Sequence, residues 1–407
     1  MRKIKLVKNK QADLFQSTAT LSVQTLSDQQ RVDWLRLIRS PNIGPITFRD
    51  LINQFGSASI AISALEGRKF SGKTFKLSSK DTALRELETA EKFGARIVAL
   101  GEKAYPKWLQ SIDSAPPLLY LKGHDELGRS PSVGIVGSRN ASGAGLKFAG
   151  QLAQGLSEQG LVVISGLARG IDAAAHIASL ANGTIAVLGG GLDHIYPAQN
   201  EEIYHKIASE GLLISERPLG VYAKAKDFPR RNRLISGISH GTIIVEAAMR
   251  SGSLTTARFA SEQGREVFAV PGHPLDPRAT GTNKLIQNGA TLITSAQDVI
   301  DALEPQIKSE CLHISTQGFG EEFGINFIDE TNRSANITSA SQVDFERETG
   351  DLKQTVLEML GPTPIERDVL VRLLKCSAKE LQIVLLELDL EGCLEHHGQQ
   401  KLSLKQD

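Results

Sequence analysis

Short apolar segments alternate with helical ones from residue 132 to residue 294, and this alternation constrains the fold more than any other feature of the chain. Strands are predicted at 133–136, 161–164, 184–188, 212–215, 242–246, 266–270 and 291–294. Helices are predicted near 143–158, 170–181, 200–210, 229–238, 253–263 and 282–288. Continuous apolar strands that are joined by helices form a parallel sheet buried on both faces. We therefore predict a doubly wound, mostly parallel α/β sheet.

The pattern divides the chain into five segments. Residues 1–28 are polar with weak periodicity and are predicted to be a disordered arm. Residues 29–95 are predicted to form a helical domain of the helix-hairpin-helix or SAM-like type, whose glycine-bearing turn either holds a phosphate or serves only for packing. The sheet domain covers 96–304, and a polar linker covers 305–350. Three helices and a hairpin at 351–407 predict a winged helix.

Charge balance and cysteine usage limit the class of protein. The 46 basic and 46 acidic residues cancel, so any nucleic-acid binding has to come from a local patch. Three cysteines lie far apart without metal-ligand spacing, which argues against structural zinc and for a reducing compartment. No stretch of about 18 apolar residues occurs. We predict a cytoplasmic protein that uses no metal and no cofactor.

The strongest local charge lies between Glu216 and Arg233, where six basic residues face two acidic ones. Phe228 and the arginines after it are predicted to lie at a helix N-terminus, whose free N–H groups and dipole attract anions. Arginine binds phosphate oxygens bidentately, and a flat ring stacks on a base. This loop predicts an anion or nucleic-acid site, although a basic turn that only faces solvent has the same composition. The six basic residues are Arg217, Lys224, Lys226, Arg230, Arg231 and Arg233.

Loops that carry glycine, serine or arginine follow most of the predicted strands. Ligands of such sheets bind at the carboxyl ends of the strands, where glycine lets the backbone approach and helix-start amides bind oxyanions. Arg139 and Arg169 place cations on two neighbouring loops. Together the loops predict a site for a phosphate-bearing ligand, and they lie at 137–139, 165–170, 189–191, 216–233, 250–253 and 271–274.

Two common nucleotide-binding motifs are missing from the sequence. No G-x-x-x-x-G-K-[ST] sequence occurs, which argues against ATP hydrolysis by the usual phosphate loop. Gly137, Gly143 and Gly145 follow the first strand instead of a G-x-G-x-x-G sequence, and no acidic residue ends the second strand. The pattern therefore disfavours dinucleotide binding.

Three groups of titratable residues could carry chemistry but have plainer explanations. Asp172 and His176 lie four apart on a helix and could bind a metal or act as a catalytic couple, yet a local hydrogen bond that fixes the preceding loop is the favoured explanation. Glu246 at a strand end could act as a general acid or base, or pair with an arginine. Asp193 and His194 are predicted to form hydrogen bonds in a glycine-rich turn.

The predicted third helix of the winged helix is acidic. It carries Lys379 against Glu380, Glu387, Asp389 and Glu391. Four carboxylates against one ammonium repel a phosphate backbone. We therefore favour protein contact over duplex-DNA reading for this domain, and a regulatory protein that binds duplex DNA through it is disfavoured.

These motifs together resemble the DNA-processing protein A family (DprA, also called Smf). The resemblance covers about residues 100–303 and is carried by 136–139, 165–172 with His176, 189–191, 196–197, 215–216, 228–233, 251–257, 270–272 and 281–283. It implies a Rossmann-like domain that binds rather than catalyses. Such proteins coat incoming single-stranded DNA, protect it from nucleases, load the RecA recombinase in natural transformation and homologous recombination, and dimerise through this domain.

The resemblance also implies which residues contact the DNA strand. They are Ser138, Arg139, Gly166, Phe228 and the basic loop at 224–233, which carries Lys224, Lys226, Arg230, Arg231 and Arg233. The loops at the strand ends add Gly137, Arg169 and Ser253 to the predicted nucleic-acid contacts. One alternative is an enzyme that processes nucleotides, since Pro271-Gly272 and Gly281-Thr282 are similar to a motif of Rossmann-like phosphoribohydrolases. An insert between the two pairs, and the lack of a glutamate directly after them, argue against this alternative.

Overall fold

The computed structural model describes residues 25–70, 73–313, 349–361, 364–397 and 401–405. A nine-stranded sheet forms its centre. A helical domain precedes the sheet, and a small domain of helices and a three-stranded sheet follows it. The predicted disordered arm lies outside the described residues up to position 24, as does the predicted linker from position 314 to position 348.

Four helices and a short hairpin form the N-terminal domain: α1 (Asp28–Ile38), α2 (Pro45–Phe55), α3 (Ala58–Leu65), β1 (Lys69–Phe70), β2 (Lys73–Thr74) and α4 (Lys80–Phe93). Ser27, Ser57 and Ser79 cap three of the helices by accepting a backbone hydrogen bond. Pro45 is the first residue of α2, where its missing N–H has no intrahelical partner to lose. Helix α3 escapes prediction because it is short and follows at once on Gly56, which ends α2 in the left-handed conformation.

The sheet consists of β3 (Arg96–Ala99), β4 (Leu118–Gly123), β5 (Ser132–Val136), β6 (Val162–Ser165), β7 (Thr184–Val187), β8 (Leu212–Ser215), β9 (Gly241–Ile244), β10 (Glu266–Ala269) and β11 (Thr291–Leu292). Its spatial order is β11-β10-β9-β5-β6-β7-β8-β4-β3. The strands from β11 to β8 pair in parallel, and β4 and β3 add two antiparallel strands at one edge. The predicted mostly parallel, doubly wound sheet is confirmed.

Helices cover both faces of the sheet: α5 (Gly143–Glu158), α6 (Ile171–Ser179), α7 (Glu201–Glu210), α8 (Asp227–Ile238), α9 (Gly252–Glu262), α10 (Thr280–Gln287) and α11 (Ala296–His313). Successive residues of a strand point to opposite faces. Val163 accordingly belongs to the apolar core under α5 and α6, while Val162 and Ile164 belong to the core on the other face. The predicted linker begins too early, because α11 continues through Pro305.

The order of the strands in the sheet changes direction at β5, and this change determines where the candidate site lies. β6, β7 and β8 follow on one side of β5, and β9, β10 and β11 follow on the other. Because these seven strands are parallel, their carboxyl ends lie at one edge of the sheet, and the loops that leave them meet there.

The C-terminal domain has the predicted winged-helix composition. It contains α12 (Thr349–Met359), β12 (Ile365–Glu366), α13 (Arg367–Leu374), α14 (Ala378–Leu390), β13 (Leu394–His397) and β14 (Lys401–Leu404). Ser377 and Glu380 form a reciprocal capping box at the start of α14. In the part of the chain that the structure describes, no helix is both long and apolar enough to cross a bilayer.

Glu102 joins the N-terminal helices to the sheet. Its buried carboxylate accepts hydrogen bonds from Arg31 Nη2 (2.6 Å), from the Leu26 N–H (3.0 Å) and from the Ala99 N–H (2.8 Å). Arg31 Nη1 also donates to the Ile97 carbonyl (2.5 Å). Since β3 is an edge strand, these two side chains also occupy backbone groups that would otherwise be free to pair with another strand.

Replacing Glu102 by alanine should lower the free energy of unfolding by about 3 kcal/mol or more, because the largely buried Arg31 guanidinium loses its counter-charge. Glu126→Ala is the matched control: that side chain is exposed, and its removal should change the free energy by less than about 0.5 kcal/mol. Urea unfolding followed by circular dichroism measures both. Equal effects of the two substitutions would show that Glu102 does not hold the domains together.

Candidate nucleic-acid interface

The loops after β5 and β6 are held against each other at the carboxyl edge of the sheet. Gly170 has a φ of +78°, and a Cβ there would lie 2.3 Å from the Ser138 carbonyl oxygen, so the contact requires glycine. The Ile171 N–H donates to the same oxygen (3.2 Å). The close contact keeps the exposed Arg139 and Arg169 on neighbouring loops.

Beside these loops lies a cavity of about 280 Å³, here called the aromatic pocket, which is lined by Gly166, Leu188, Gly189, Gly190, His194, Ile195, Tyr196, Tyr222, Ala223 and Phe228. The rings of Phe228 and Tyr196 are tilted by 43° at a centroid distance of 5.4 Å. Tyr222 stacks on His194 at 3.7 Å. The glycines keep the floor open, since a Cβ on Gly189 would already touch the Phe228 ring at 3.4 Å.

The pocket offers exposed ring surface next to a cation. Tyr196 and Tyr222 are 56% and 72% exposed, which is unusual for side chains of this size. The Arg139 guanidinium carbon lies 5.3 Å from the Phe228 ring centroid, within cation–π range. An unstacked base with its phosphate matches this combination, because the ring stacks on the base and the guanidinium pairs with the phosphate.

Asp227 fixes the start of α8 and with it the position of Phe228. Its buried carboxylate accepts from the Lys224 N–H (2.8 Å) and pairs with Arg217 Nη2 (2.7 Å). The carboxylate also lies in the first turn of the helix, where negative charge is favourable. The acidic residue in the basic loop is therefore a structural anchor rather than a surface charge.

Five of the predicted basic residues are exposed on the loops that form the pocket or on α8 itself. None of them makes a salt bridge within the described ranges, so their charges are available to an anionic ligand. They are Arg139, Arg169, Lys224, Lys226 and Arg230.

The favoured explanation, a local hydrogen bond that fixes the preceding loop, is confirmed for Asp172, whereas His176 bonds to a different element. Asp172 accepts from the N–H groups of Gly166 (3.1 Å) and Ala168 (3.3 Å), and so fixes the loop before its helix. His176 Nδ1 lies 2.8 Å from the Thr184 hydroxyl, far from any exposed surface. Burial raises the pKa of Asp172 and lowers the pKa of His176 to about 3, which keeps the imidazole neutral.

Comparison with known proteins agrees with this architecture. A family model described as DNA recombination-mediator protein A matches residues 96–304, just over half of the chain. The chain belongs to the DNA-processing protein A (DprA/Smf) family. Models of a DprA-like N-terminal HHH domain and of a DprA winged helix domain match residues 28–89 and 343–400. The resemblance to DprA is thereby confirmed.

Individual relatives show how far the similarity extends. Protein Smf of Synechocystis is 32% identical over 391 residues, which are 90% of this chain and 97% of that protein. The crystal structure of DprA from Streptococcus pneumoniae is 36% identical, with a TM-score of 0.53, and covers 68% of this chain and 93% of its own. DprA from Helicobacter pylori, studied for its single-stranded DNA binding mode, is 30% identical with a TM-score of 0.48, over 52% of this chain and 96% of its own.

Arg231 does not face the pocket, contrary to the expected set of DprA contacts. It is 4% exposed, and its Nη1 donates to the carbonyls of Gly166 (2.6 Å) and Val187. Burial lowers the pKa of this guanidinium to about 10. Gly166 leaves room for it, since a Cβ would lie 2.3 Å from Nη1. Arg231 therefore supports the pocket from within the fold.

Arg233 and Ser253 are also turned away from solvent. Arg233 pairs with Glu216 and donates to the Ser114 carbonyl (2.7 Å), which ties α8 to the segment before β4. The Ser253 hydroxyl lies 2.7 Å from that of Ser251, at the start of α9. The expectation that these side chains contact the ligand stays a prediction. Both complete hydrogen bonds inside the protein.

Two further predicted residues, Gly137 and Ser138, serve mainly to shape the loop after β5. A Cβ on Gly137 would lie 2.7 Å from Ile171 Cγ1, so only glycine fits there. The Ser138 hydroxyl accepts from the Asn140 N–H (3.2 Å) and turns the chain toward α5. Glu246 pairs with a serine rather than an arginine: it accepts from the Ser142 N–H (3.0 Å) and hydroxyl (2.5 Å).

Three pocket rings were not among the predicted site residues: His194, Tyr196 and Tyr222. Asp193 and His194 form the expected loop hydrogen bonds: Asp193 accepts from the Gly220 N–H (2.8 Å), and the His194 N–H donates to the Gly191 carbonyl (3.1 Å). The His194 ring in addition stacks on Tyr222. A signal was present in the sequence for Tyr222, since it interleaves with cations in the loop that follows β8, but the loop after β7, which carries Tyr196, has no lysine or arginine.

The neighbours Arg230 and Arg231 should respond oppositely to replacement by alanine. Arg231→Ala leaves two buried carbonyls without their charged donor and should cost about 3 kcal/mol of stability or more. Arg230→Ala removes an exposed, unpaired side chain and should change stability by less than about 0.5 kcal/mol. Thermal and urea unfolding measure both variants. Similar destabilisation of the two would contradict the assignment of Arg231 as structural.

Proposed function

We propose that the chain binds single-stranded DNA at the carboxyl edge of its parallel sheet and acts as a non-catalytic DNA-processing protein. The observation that carries the proposal is the aromatic pocket, because exposed rings surround a base-sized cavity that unpaired cations flank. Aromatic stacking together with a basic track is the usual way in which proteins hold single strands without sequence preference.

The pocket favours a single strand over a duplex. A base can enter between Phe228 and the two tyrosines only when it has left its own stack, and unstacking costs least in a single strand. Arg139 then lies beside the base, while Lys224 and Arg230 lie along α8 and the loop before it, where the backbone continues. Bases supply the stacking surface, and phosphates pair with the cations.

Binding rather than catalysis is supported by the state of the candidate acids and bases. Asp172, His176 and Glu246 all use their hydrogen bonds to hold the fold. None of the three lines the aromatic pocket. His194 is the one imidazole that lines the aromatic pocket, and its ring is stacked on Tyr222. We therefore expect that no free base appears when nucleoside monophosphates are incubated with the protein, and release of free base would favour the alternative of a nucleotide-processing enzyme.

We further propose the cellular role that membership of the DprA family suggests: protection of incoming single strands in the cytoplasm and loading of RecA during natural transformation or homologous recombination. The proposed units are a helical domain at 29–95, the DNA-binding domain at 96–304 and a winged helix at 351–407. RecA filament formation on oligonucleotides that are coated with a competing single-strand-binding protein tests the loading role. Filament growth that does not accelerate with added chain would contradict it.

A homodimer through the sheet domain is also proposed. Strand β11 forms one edge of the sheet, and both of its residues, Thr291 and Leu292, are exposed. An exposed leucine on an open edge strand favours pairing with a second copy. Leu292→Glu should convert a dimer to a monomer in light scattering after gel filtration, whereas Leu84→Glu, at a similarly exposed leucine on α4, should not. A monomeric wild-type protein would contradict the proposal.

Charge removal should weaken binding and reduce its salt dependence together. In Arg139→Ala/Arg230→Ala the slope of log K against log salt for oligo-dT should fall by about 0.7 for each phosphate that the variant no longer neutralises. Lys92→Ala, at an exposed lysine on α4, is the matched control and should leave the slope unchanged. Fluorescence anisotropy at several salt concentrations measures both. An unchanged slope in the double variant, with the fold intact, would remove these cations from the site.

Stacking should be separable from charge at Phe228. Phe228→Ala should cost about 1–3 kcal/mol of binding free energy while the salt slope stays nearly constant. Phe228→Tyr keeps the ring and should retain most of the affinity. If Phe228 only packs the start of α8, the alanine variant will lose thermal stability and bind normally at low temperature, which would contradict a stacking role.

A further inference from the structure

Only some of the buried apolar side chains of helix α14 pack in the core of the winged helix itself. Leu381, Val384 and Leu388 lie in the core of the winged helix. Leu386 and Leu390, four residues apart, belong instead to the apolar cluster of the N-terminal helices. An amphipathic helix with one partner needs one apolar stripe, and a second stripe shows a second partner.

That second partner is the turn between α1 and α2, together with the start of α2. Asn42 Nδ2 donates to the Leu390 carbonyl (3.0 Å), and the buried Thr47 hydroxyl lies 3.4 Å from the Asp389 carboxylate. A Cβ on Gly392 would lie 3.0 Å from Asn42, so the two segments approach closely. The contact between α14 and the N-terminal helices therefore contains both hydrogen bonds and apolar packing.

Charges at this surface are paired across it or beside it. Asp50 on α2 pairs with Arg367 of the winged helix (3.6 Å), and Asp389 lies 2.7 Å from His396 Nε2. Asp50 and Asp389 are each 7% exposed. Buried carboxylates that keep a cationic or hydrogen-bonding partner are expected in a built interface, since unpaired ones would oppose the contact.

The elements that cover one another are the two that in other proteins of these fold types contact DNA. The turn of a helix-hairpin-helix presents its amides to a phosphate, and the third helix of a winged helix enters the major groove. Here the Asn42–Thr47 turn holds the end of α14, and α14 holds the turn. Its acidic sequence, unfavourable for DNA, suits this use.

We propose that the winged helix is a protein-contact domain whose partner is the N-terminal helical domain of the same chain, and that docking covers the turn through which a helix-hairpin-helix meets a phosphate. The proposal is independent of the aromatic pocket, which lies on the sheet domain. It assigns the acidic third helix a partner of defined chemistry: an apolar patch rimmed by an amide, a hydroxyl and a carboxylate.

A protease site introduced within residues 314–348 of the full chain tests the docking. After folding and cleavage, the C-terminal fragment should co-elute with the remainder in gel filtration at micromolar concentration. Leu386→Asp/Leu390→Asp should abolish co-elution. Leu373→Asp, at an exposed leucine on α13, is the matched control and should preserve it. Separation of the unmodified fragments would overturn the proposal.

Hydrogen exchange on the uncut chain distinguishes undocking from unfolding. In Leu386→Asp/Leu390→Asp, amides of 42–50 should exchange about tenfold faster or more, while those of α12 in the winged-helix core stay protected. Unchanged exchange at 42–50 would overturn the proposal even if the fragments separate. If α12 also loses protection, the reciprocal variant Thr47→Asp decides, because it leaves the winged helix intact and should also release the cleaved fragment. Retention of the fragment by Thr47→Asp would overturn the proposal.

Discussion

The buried guanidinium of Arg231 is the interaction on which the site depends. Parallel strands end in carbonyls that no neighbouring strand satisfies, and burying them unpaired is costly. Arg231 donates to the carbonyls of Gly166 and Val187, at the ends of β6 and β7. The same side chain belongs to α8, whose first turn carries Phe228. One cation therefore fixes the pocket floor and the ring above it in a single geometry.

Around this anchor the basic loop separates into two populations. Arg217, Arg231 and Arg233 are engaged by Asp227, by backbone carbonyls and by Glu216, and they hold α8 in place. Lys224, Lys226 and Arg230 are exposed and make no salt bridge among the described residues. The buried or paired arginines fix the position of α8, and the exposed cations attract the negatively charged DNA strand. A count of charges in the sequence does not distinguish these two groups of basic residues.

The sheet was predictable because its signal is repetitive: seven uniformly apolar runs separated by helices fit no other common arrangement. Which arginines of α8 are buried and which are exposed could not be predicted. The helical period does not separate them, since Arg231 lies four residues before the buried Ile235 and the exposed Arg230 lies four residues before the equally buried Leu234. Tyr196 and Tyr222 come from different irregular loops, and only the fold brings them to one pocket.

The central claim is that an unstacked base of a single strand enters the aromatic pocket. Photo-crosslinking with oligonucleotides that carry 5-iododeoxyuridine, followed by mass spectrometry of the tryptic peptides, locates the base directly. The account predicts that crosslinks concentrate on Phe228, Tyr196 or Tyr222, and that excess unlabelled oligo-dT suppresses them while duplex of equal length does not. Crosslinks confined to residues 29–95 or 351–407, with these three rings unmodified, would contradict it.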